Sequence, residues 1–213
     1  MNVLVTGASG FIGSHLCEAL LKKKYKVKAL ARYNSRHNQG WLENLNHKNL
    51  EVIFGDITDF DSVSNAIYGC DYVFNLAASI SVPYSFKNPQ TFIDTNILGA
   101  LNVFRSSALS KGKVKKIIQI SSSEVYGNDL IKNSNTLTEK TITVSESPYA
   151  ASKIAADNLA LSMYKATGLP IVVARPFNTF GPRQSLRAVI PTLVSQFASI
   201  NKKNSKINIG NLN

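Results

Sequence analysis

The chain has 213 residues, 44% of them apolar and 17% charged, with a formal net charge of +11. That length and apolar share suit one folded domain with a sizeable core and exclude a disordered or fibrous chain, and no apolar run approaches the roughly 20 residues of a membrane span. The basic excess falls in short groups (Lys22, Lys23, Lys24; Lys111, Lys113, Lys115, Lys116; Lys202, Lys203, Lys206) near expected helix ends and strand starts. Cations suit the carboxyl end of a helix, and none of these groups is interleaved with aromatics for base stacking, so no nucleic-acid partner is expected. Cys17 and Cys70 lack Cys-x-x-Cys spacing and read as buried thiols of a reducing compartment; with no secretory pattern at the amino terminus, the expected location is cytoplasmic. No metal-ligand spacing occurs.

In chain order, an apolar run at Val3 to Val5 breaks into Gly7, Gly10 and Gly13, after which Phe11, Ile12, Leu16, Ala19 and Leu20 recur at helical spacing. This is strand, tight turn and helix. Glycines let the backbone come close to a ligand, and the free amides of the first helical turn favour a phosphate. The spacing is Gly-x-x-Gly-x-x-Gly, which differs from the commonest dinucleotide fingerprint. Further strands are expected at Val27 to Ala31, Glu51 to Phe54, Tyr72 to Leu76, Lys116 to Ser121 and Ile171 to Arg175, with helices near Ser62 to Tyr68, Thr91 to Ser110 and Pro148 to Thr167. Alternation of this kind implies an α/β fold, a doubly wound parallel sheet with helices on both faces and its ligand crevice at the strands' carboxyl ends.

The residues after each strand fit that crevice. The second strand ends in Ala31-Arg32-Tyr33-Asn34-Ser35-Arg36, with no carboxylate to hold an adenosine ribose and an arginine in reach of a 2′-phosphate. The expected cofactor is therefore NAD(P), with NADP favoured over NAD. Gly55-Asp56-Ile57-Thr58-Asp59 offers Asp56 to an adenine amino group and Asp59 as a helix cap. Asn75-Leu76-Ala77-Ala78-Ser79 is small enough to admit a ligand to the backbone.

The chemical centre follows the fifth strand, where Ser121-Ser122-Ser123-Glu124 sets three hydroxyls and a carboxylate at the crevice edge. Pro148-Tyr149-Ala150-Ala151-Ser152-Lys153 then opens a helix, with proline where a first turn accepts it, and Tyr149 and Lys153 share one helix face. An ammonium beside a phenol favours the phenolate, and a cationic nicotinamide adds to that, so Tyr149 is expected to have its pKa brought down and to act as general base and acid.

Together these residues resemble the extended short-chain dehydrogenases/reductases of the nucleotide-sugar epimerase and dehydratase group. The resemblance rests on Thr6-Gly7-Ala-Ser-Gly10-Phe-Ile-Gly13, Gly55-Asp56-Ile-Thr-Asp59, Leu76-Ala-Ala78, Asn96-Ile-Leu-Gly99, Ser121-Ser-Ser-Glu-Val-Tyr-Gly127, Tyr149-Ala-Ala-Ser-Lys153 and Arg175-Pro-Phe-Asn-Thr-Phe-Gly-Pro-Arg183. It implies that Gly7, Ser9, Gly10, Phe11, Ile12 and Gly13 hold the cofactor pyrophosphate, Arg32, Asp56 and Ile57 the adenosine, and Leu76, Ala77, Ala78, Ser121, Pro176, Tyr149 and Lys153 the nicotinamide half. Asn96 supports the lysine from within the fold. Ser79, Ser122, Asn178, Arg183 and Arg187 fall to the nucleotide-sugar substrate.

Ser122-Ser123-Glu124 is similar to the Thr-Ser-Glu and Thr-Asp-Glu of the sugar-nucleotide 4,6-dehydratases, in which a carboxylate removes the C5 proton of a 4-keto sugar. Ser123 stands where some members carry the acid that protonates the departing 6-hydroxyl. Tyr33 to Leu42 and Gly181 to Pro191 look most like the dehydratases that act on a nucleotide-linked N-acetylglucosamine. The alternatives are a 4-epimerase, a UDP-glucuronate decarboxylase and a non-catalytic NAD(P)-binding regulator. The resemblance further implies a Rossmann domain over residues 1–175, an incomplete substrate lobe over residues 176–213, and a homodimer joined by a four-helix bundle.

Overall fold

The computed structural model describes residues 1–35, 38–110, 113–128, 136–200 and 206–209. Its first compact unit, Met1–Phe177, begins with β1 (Asn2–Thr6), α1 (Phe11–Lys22), β2 (Lys26–Arg32), β3 (Leu50–Gly55), α2 (Phe60–Ile67) and β4 (Tyr72–Asn75). Two short helices, α3 (Val82–Lys87) and α4 (Pro89–Phe92), lead through a π-helical stretch at Ile93–Leu98 into α5 (Gly99–Leu109). Then come β5 (Lys116–Ile120), a 3-10 turn at Ser123–Tyr126, α6 (Pro148–Thr167) and β6 (Ile171–Ala174). The second unit, Asn178–Asn213, contains α7 (Val189–Ala198), none of whose residues is buried.

The six strands stand where the apolar runs placed them, although Leu76, Ser121 and Arg175 fall just past the strand ends. The helix expected over Thr91 to Ser110 forms as an unbroken run from Pro89 to Leu109 with a π-helical stretch at Ile93–Leu98. Asn88 caps a fresh start at Pro89 by accepting from the Thr91 amide, and the π stretch then shifts the helical register so that Asn96, 2% exposed, lies on the buried side.

All strand pairs are parallel and the order is β3-β2-β1-β4-β5-β6. The direction of winding reverses between β1 and β4, so a crevice opens above their carboxyl ends. Alternate residues of β1 feed two cores. Val3 and Val5 pack with Cys17, Leu20, Leu21 and Leu42 on the α1 side, while Leu4 packs with Val63, Ile67, Val103, Phe104 and Ala156 on the side of α2, α5 and α6.

A buried polar ladder joins the ends of the three central strands. Thr6 Oγ1 donates to Asn75 Oδ1 at 2.6 Å and accepts from the Leu76 and Ala77 amides at 3.1 and 3.0 Å, while Asn75 Nδ2 donates to Gln119 Oε1 at 2.7 Å. With every partner satisfied, such a ladder holds the crevice floor rigid. At β3, Asp59 caps α2 by accepting from the Asp61 and Ser62 amides, as its position after Thr58 foretold.

Candidate active site

At the nucleotide end, Gly7 sits at φ +63°, and a Cβ there would lie 2.9 Å from the Ala77 amide nitrogen. Only glycine permits both that conformation and that closeness. The first turn of α1 follows Gly10 with no side-chain cap and no acidic residue, so its amides are left for an anion. A cleft of about 350 Å³ is lined by Gly7, Ser9, Arg32, Asp56, Ile57, Ala77, Ala78 and Ser79, which gathers the glycine turn and the residues after β2, β3 and β4 in one place. A phosphate-ready helix start, a close-packed glycine turn and an acid after β3 fit a nicotinamide dinucleotide.

Several neighbours fix this cleft. Asp56 Oδ1 accepts from the Thr58 amide and hydroxyl at 2.9 and 2.8 Å, and its Oδ2 lies 3.7 Å from Arg32 Nε. Asn102 Nδ2 donates to the carbonyls of Ile57 and Thr58 at 3.1 and 3.0 Å. Arg32 itself is exposed beyond that loose pairing; Arg36, which shared the 2′-phosphate expectation, lies outside the described residues. Ile12 is exposed, Phe11 meets His15 edge-on at 5.7 Å, and Leu76 packs against the α1-side core. Gly13 supports the turn from beneath, since its Cβ would fall 2.3 Å from Gly7 O.

The reacting end is built by α6. Ser147 caps it by accepting from the Ala150 amide at 3.1 Å, Pro148 takes the first position, and Gly168 at φ +70° ends it. Tyr149, Ser152, Lys153, Ala156, Asp157 and Ala160 form its buried stripe. The Tyr149 ring meets Phe92 edge-on at 6.2 Å. Ser122 and Glu124 belong to the 3-10 turn that packs beside α6, and both act on the Tyr149 phenol. Ser122 Oγ also accepts from the Glu124 amide at 3.2 Å. Ser123 is 8% exposed, and its amide donates to the carbonyl of Pro176 at 3.0 Å.

Asn96 lies between the two ends. Its Oδ1 accepts from the Ser79 amide at 2.8 Å, and its Nδ2 donates to Ser79 O at 3.1 Å and Ser152 Oγ at 2.8 Å. The bonds go to the residues flanking Lys153 and the cleft, and Ser79 Oγ is taken up by Thr95 at 3.2 Å. Lys153 is 4% exposed, and its Nζ donates to Ile120 O at 2.9 Å.

The expectation of a lowered phenol pKa is corrected. Burial pushes the Tyr149 phenol above its ordinary value; the Ser122 hydroxyl draws it partway back and Glu124 adds to the rise. Lys153 is itself brought down to about 8 by burial, with Asp157 working against the fall. Below about pH 8 both the folded and the unfolded chain hold the Lys153 proton, and the buried ammonium costs stability in full. From about 8 up to the ordinary 10.5 the unfolded chain binds the extra proton, so the cost fades as pH rises. Lys153→Met is therefore expected to be more stable than the parent at pH 7, with the gap closing by pH 10. Urea unfolding of both proteins across that range checks this, and a pH-independent gap contradicts it.

Sequence reasoning passed over Asp157, Ser152, Asn102 and Gln119. Asp157 and Ser152 had a signal, because both fall at helical spacing on the stripe of Tyr149 and Lys153; Asn102 and Gln119 had none. In the second unit, Asn178 and Arg187 are exposed, Arg183 is half-buried at φ +70°, and Arg187 Nε donates to Ser185 Oγ at 3.4 Å.

A sheet wound in this order, with its glycine turn at the reversal and a serine, tyrosine and lysine beside it, has the make-up of the short-chain dehydrogenase/reductase class. The profile of the GDP-mannose 4,6 dehydratase family matches residues 4–213, and the chain belongs to that family. It is 35% identical over 217 residues to a dTDP-D-glucose 4,6-dehydratase of Dictyostelium discoideum, covering 95% of this chain and 49% of that protein. The dTDP-glucose 4,6-dehydratase of Streptomyces venezuelae, solved with NAD bound, superposes with a TM-score of 0.85 at 30% identity, over 93% of this chain and 62% of that one. A UDP-N-acetylglucosamine 4-epimerase from Methanobrevibacter ruminantium M1 gives 0.83 at 38% identity, over 92% and 62%. The chain thus spans between about half and two thirds of these relatives. Among the described residues no helix is long and apolar enough to cross a membrane.

Proposed function

We propose that the protein is a nucleotide-sugar 4,6-dehydratase that holds a nicotinamide cofactor through the turnover and converts an NDP-hexose, with NDP-N-acetylglucosamine as the favoured substrate, to the 4-keto-6-deoxy sugar. The observation that carries this reading is that the buried stripe of α6 bearing Tyr149 and Lys153 packs beside the 3-10 turn that bears Ser122 and Glu124. When bound, the nicotinamide supplies the acceptor and later the donor of a hydride. Gly7, Ser9 and Gly10 to Gly13 hold its pyrophosphate, Arg32, Asp56 and Ile57 its adenosine, and Leu76 to Ala78, Asn96, Ser121 and Pro176 shape the nicotinamide side.

Tyr149 takes the proton of the sugar 4-hydroxyl, which Ser122 orients. Burial raises the phenol's pKa, and the positive charges of Lys153 on the same helix stripe and of a bound nicotinamide would make it a usable base. Oxidation at C4 acidifies the C5 hydrogen, and Glu124, exposed at the mouth, accepts that proton. Ser123 is buried and is a poor acid, so the proton for the departing 6-hydroxyl comes from Glu124 or a water. Asn178, Arg183 and Arg187 are assigned to the diphosphate. Arg32 supports NADP over NAD, although its Asp56 neighbour competes with a 2′-phosphate; the solved relative from Streptomyces venezuelae carries NAD.

A 4-epimerase is the second reading, favoured by the 38% identity to the solved UDP-N-acetylglucosamine 4-epimerase. We further assign the whole protein to a cytoplasmic homodimer paired through α5 and α6, supported by exposed Leu109 on α5 and Leu161 and Tyr164 on α6 and by two buried, unpaired cysteines. Mass spectrometry of the whole protein with UDP-, GDP- and dTDP-sugars tests the reaction. Loss of one water from a single NDP-hexose supports the dehydratase, and an isomer of unchanged mass would turn the assignment to the epimerase.

A further inference from the structure

Two charged side chains, Asp157 of α6 and Arg175 after β6, pair under the site. Asp157, 2% exposed on α6, accepts through Oδ2 from Ser121 Oγ at 2.9 Å and from Arg175 Nε at 3.0 Å. Arg175 follows β6, its Nη1 donates to the Tyr126 hydroxyl at 3.3 Å, and its guanidinium lies 5.3 Å from the centre of that ring. Asp157 Oδ1 is buried and has no hydrogen-bond partner among the described residues. One turn earlier on the same helix stands Lys153, whose Nζ reaches the Ile120 carbonyl at the end of β5. Ser121 and Tyr126 bracket the segment Ser122 to Val125, so the carboxylate and the guanidinium grip the two ends of the segment that presents Ser122 and Glu124.

The geometry points to Asp157 as the positioning residue of this site: its buried carboxylate fixes the Ser122–Glu124 segment through Ser121 and Arg175 and supplies the negative charge that keeps Lys153 an ammonium. It touches no substrate atom. This deepens the dehydratase reading and rests on it for its consequence, because a neutral Lys153 would leave the Tyr149 phenol without a cation to stabilise its phenolate. The charge that acts on Lys153 is that of Asp157 on α6, and β5 offers the Ile120 carbonyl; Arg175 after β6 acts in turn on Asp157, and Glu124 of the 3-10 turn on Tyr149. Asp157 is thus the anion buried with Lys153; Glu124 is exposed, where water screens it. Attraction between Lys153 and Asp157 favours the charged form of each, against the burial that opposes both.

The test is an NMR titration of the protein with NAD bound and no sugar nucleotide present, following the lysine 13Cε and aspartate 13Cγ signals. In the unmodified protein the Asp157 signal is expected to shift at the pH where Lys153 loses its proton. In Asp157→Asn the Lys153 midpoint should fall by about one unit or more, the size of shift an opposite charge at close range produces, and Asp157→Glu should restore it. An Asp157 signal indifferent to the Lys153 step, or a Lys153 midpoint unmoved in Asp157→Asn, would overturn the inference and leave Asp157 a packing residue. Should the asparagine variant fail to fold, the titration of the unmodified protein decides by itself. Because no turnover is read, failure of the dehydratase assignment would show separately, as absence of water loss in the mass-spectrometric assay.

Discussion

Glu124→Gln should abolish formation of the 4-keto-6-deoxy sugar while leaving oxidation at C4 in place. The carboxamide keeps the shape of Glu124 and its exposed position in the 3-10 turn but cannot take the C5 proton. Loss of a positioned general base lowers a rate by about 10²- to 10⁴-fold, and here the loss falls on one step of the sequence only. Tyr149, Ser122 and Lys153 are untouched, so hydride transfer from C4 to the bound nicotinamide should continue. The expected signature is a reduced cofactor, seen by its absorbance, with no loss of water from the sugar. Removing the carboxylate also takes away a negative charge that raises the Tyr149 phenol, so the acidic limb of the C4 step, set by Tyr149 as base, should move toward lower pH. A variant that still releases water at the parent rate removes Glu124 from the mechanism.

The second large effect concerns the glycine turn. Gly13→Ala would place a methyl 2.3 Å from Gly7 O and 2.8 Å from Ala8 Cα, an overlap that backbone atoms cannot yield to without moving the turn. Gly7 lies in turn against Ala77, and Ala77 is tied to Thr6, so a shift at Gly13 runs into the floor of the cleft. Overpacking of this kind costs about 1–3 kcal/mol or more. NAD binding measured by calorimetry should weaken by at least about 100-fold, since phosphate recognition depends on the placement of those amides. Binding equal to the parent protein would show that the dinucleotide lies elsewhere.

Much of the fold could be read from the chain because both signals it depends on are local. Runs such as Val3 to Val5 and Lys116 to Ser121 are apolar over strand length, which only a sheet covered on both faces explains, and the helices between them carry their own caps at Asp59 and Ser147. What escaped is where tertiary packing overrides local pattern. The π stretch at Ile93–Leu98 has no sequence signature, yet it is what turns Asn96 inward to Ser79 and Ser152. The helix at Val82–Lys87 is too short for a period to show.

At the site, the pairing of Tyr149 with Lys153 followed from spacing, but the direction of the phenol's shift did not, because burial depends on Phe92 and the whole of α6. The polar ladder of Thr6, Asn75 and Gln119 was hidden for the same reason: its members are distant in the chain and meet only when β1, β4 and β5 align.

The central claim is that one hexose ring lies between Tyr149 and Glu124. Turnover of the NDP-hexose in D₂O, with the product read by NMR, tests it most directly. The account predicts a 6-deoxy-4-keto sugar carrying solvent deuterium at C5 and, at C6, the hydrogen that began at C4. A product that keeps its 6-hydroxyl and its original C5 hydrogen would contradict it.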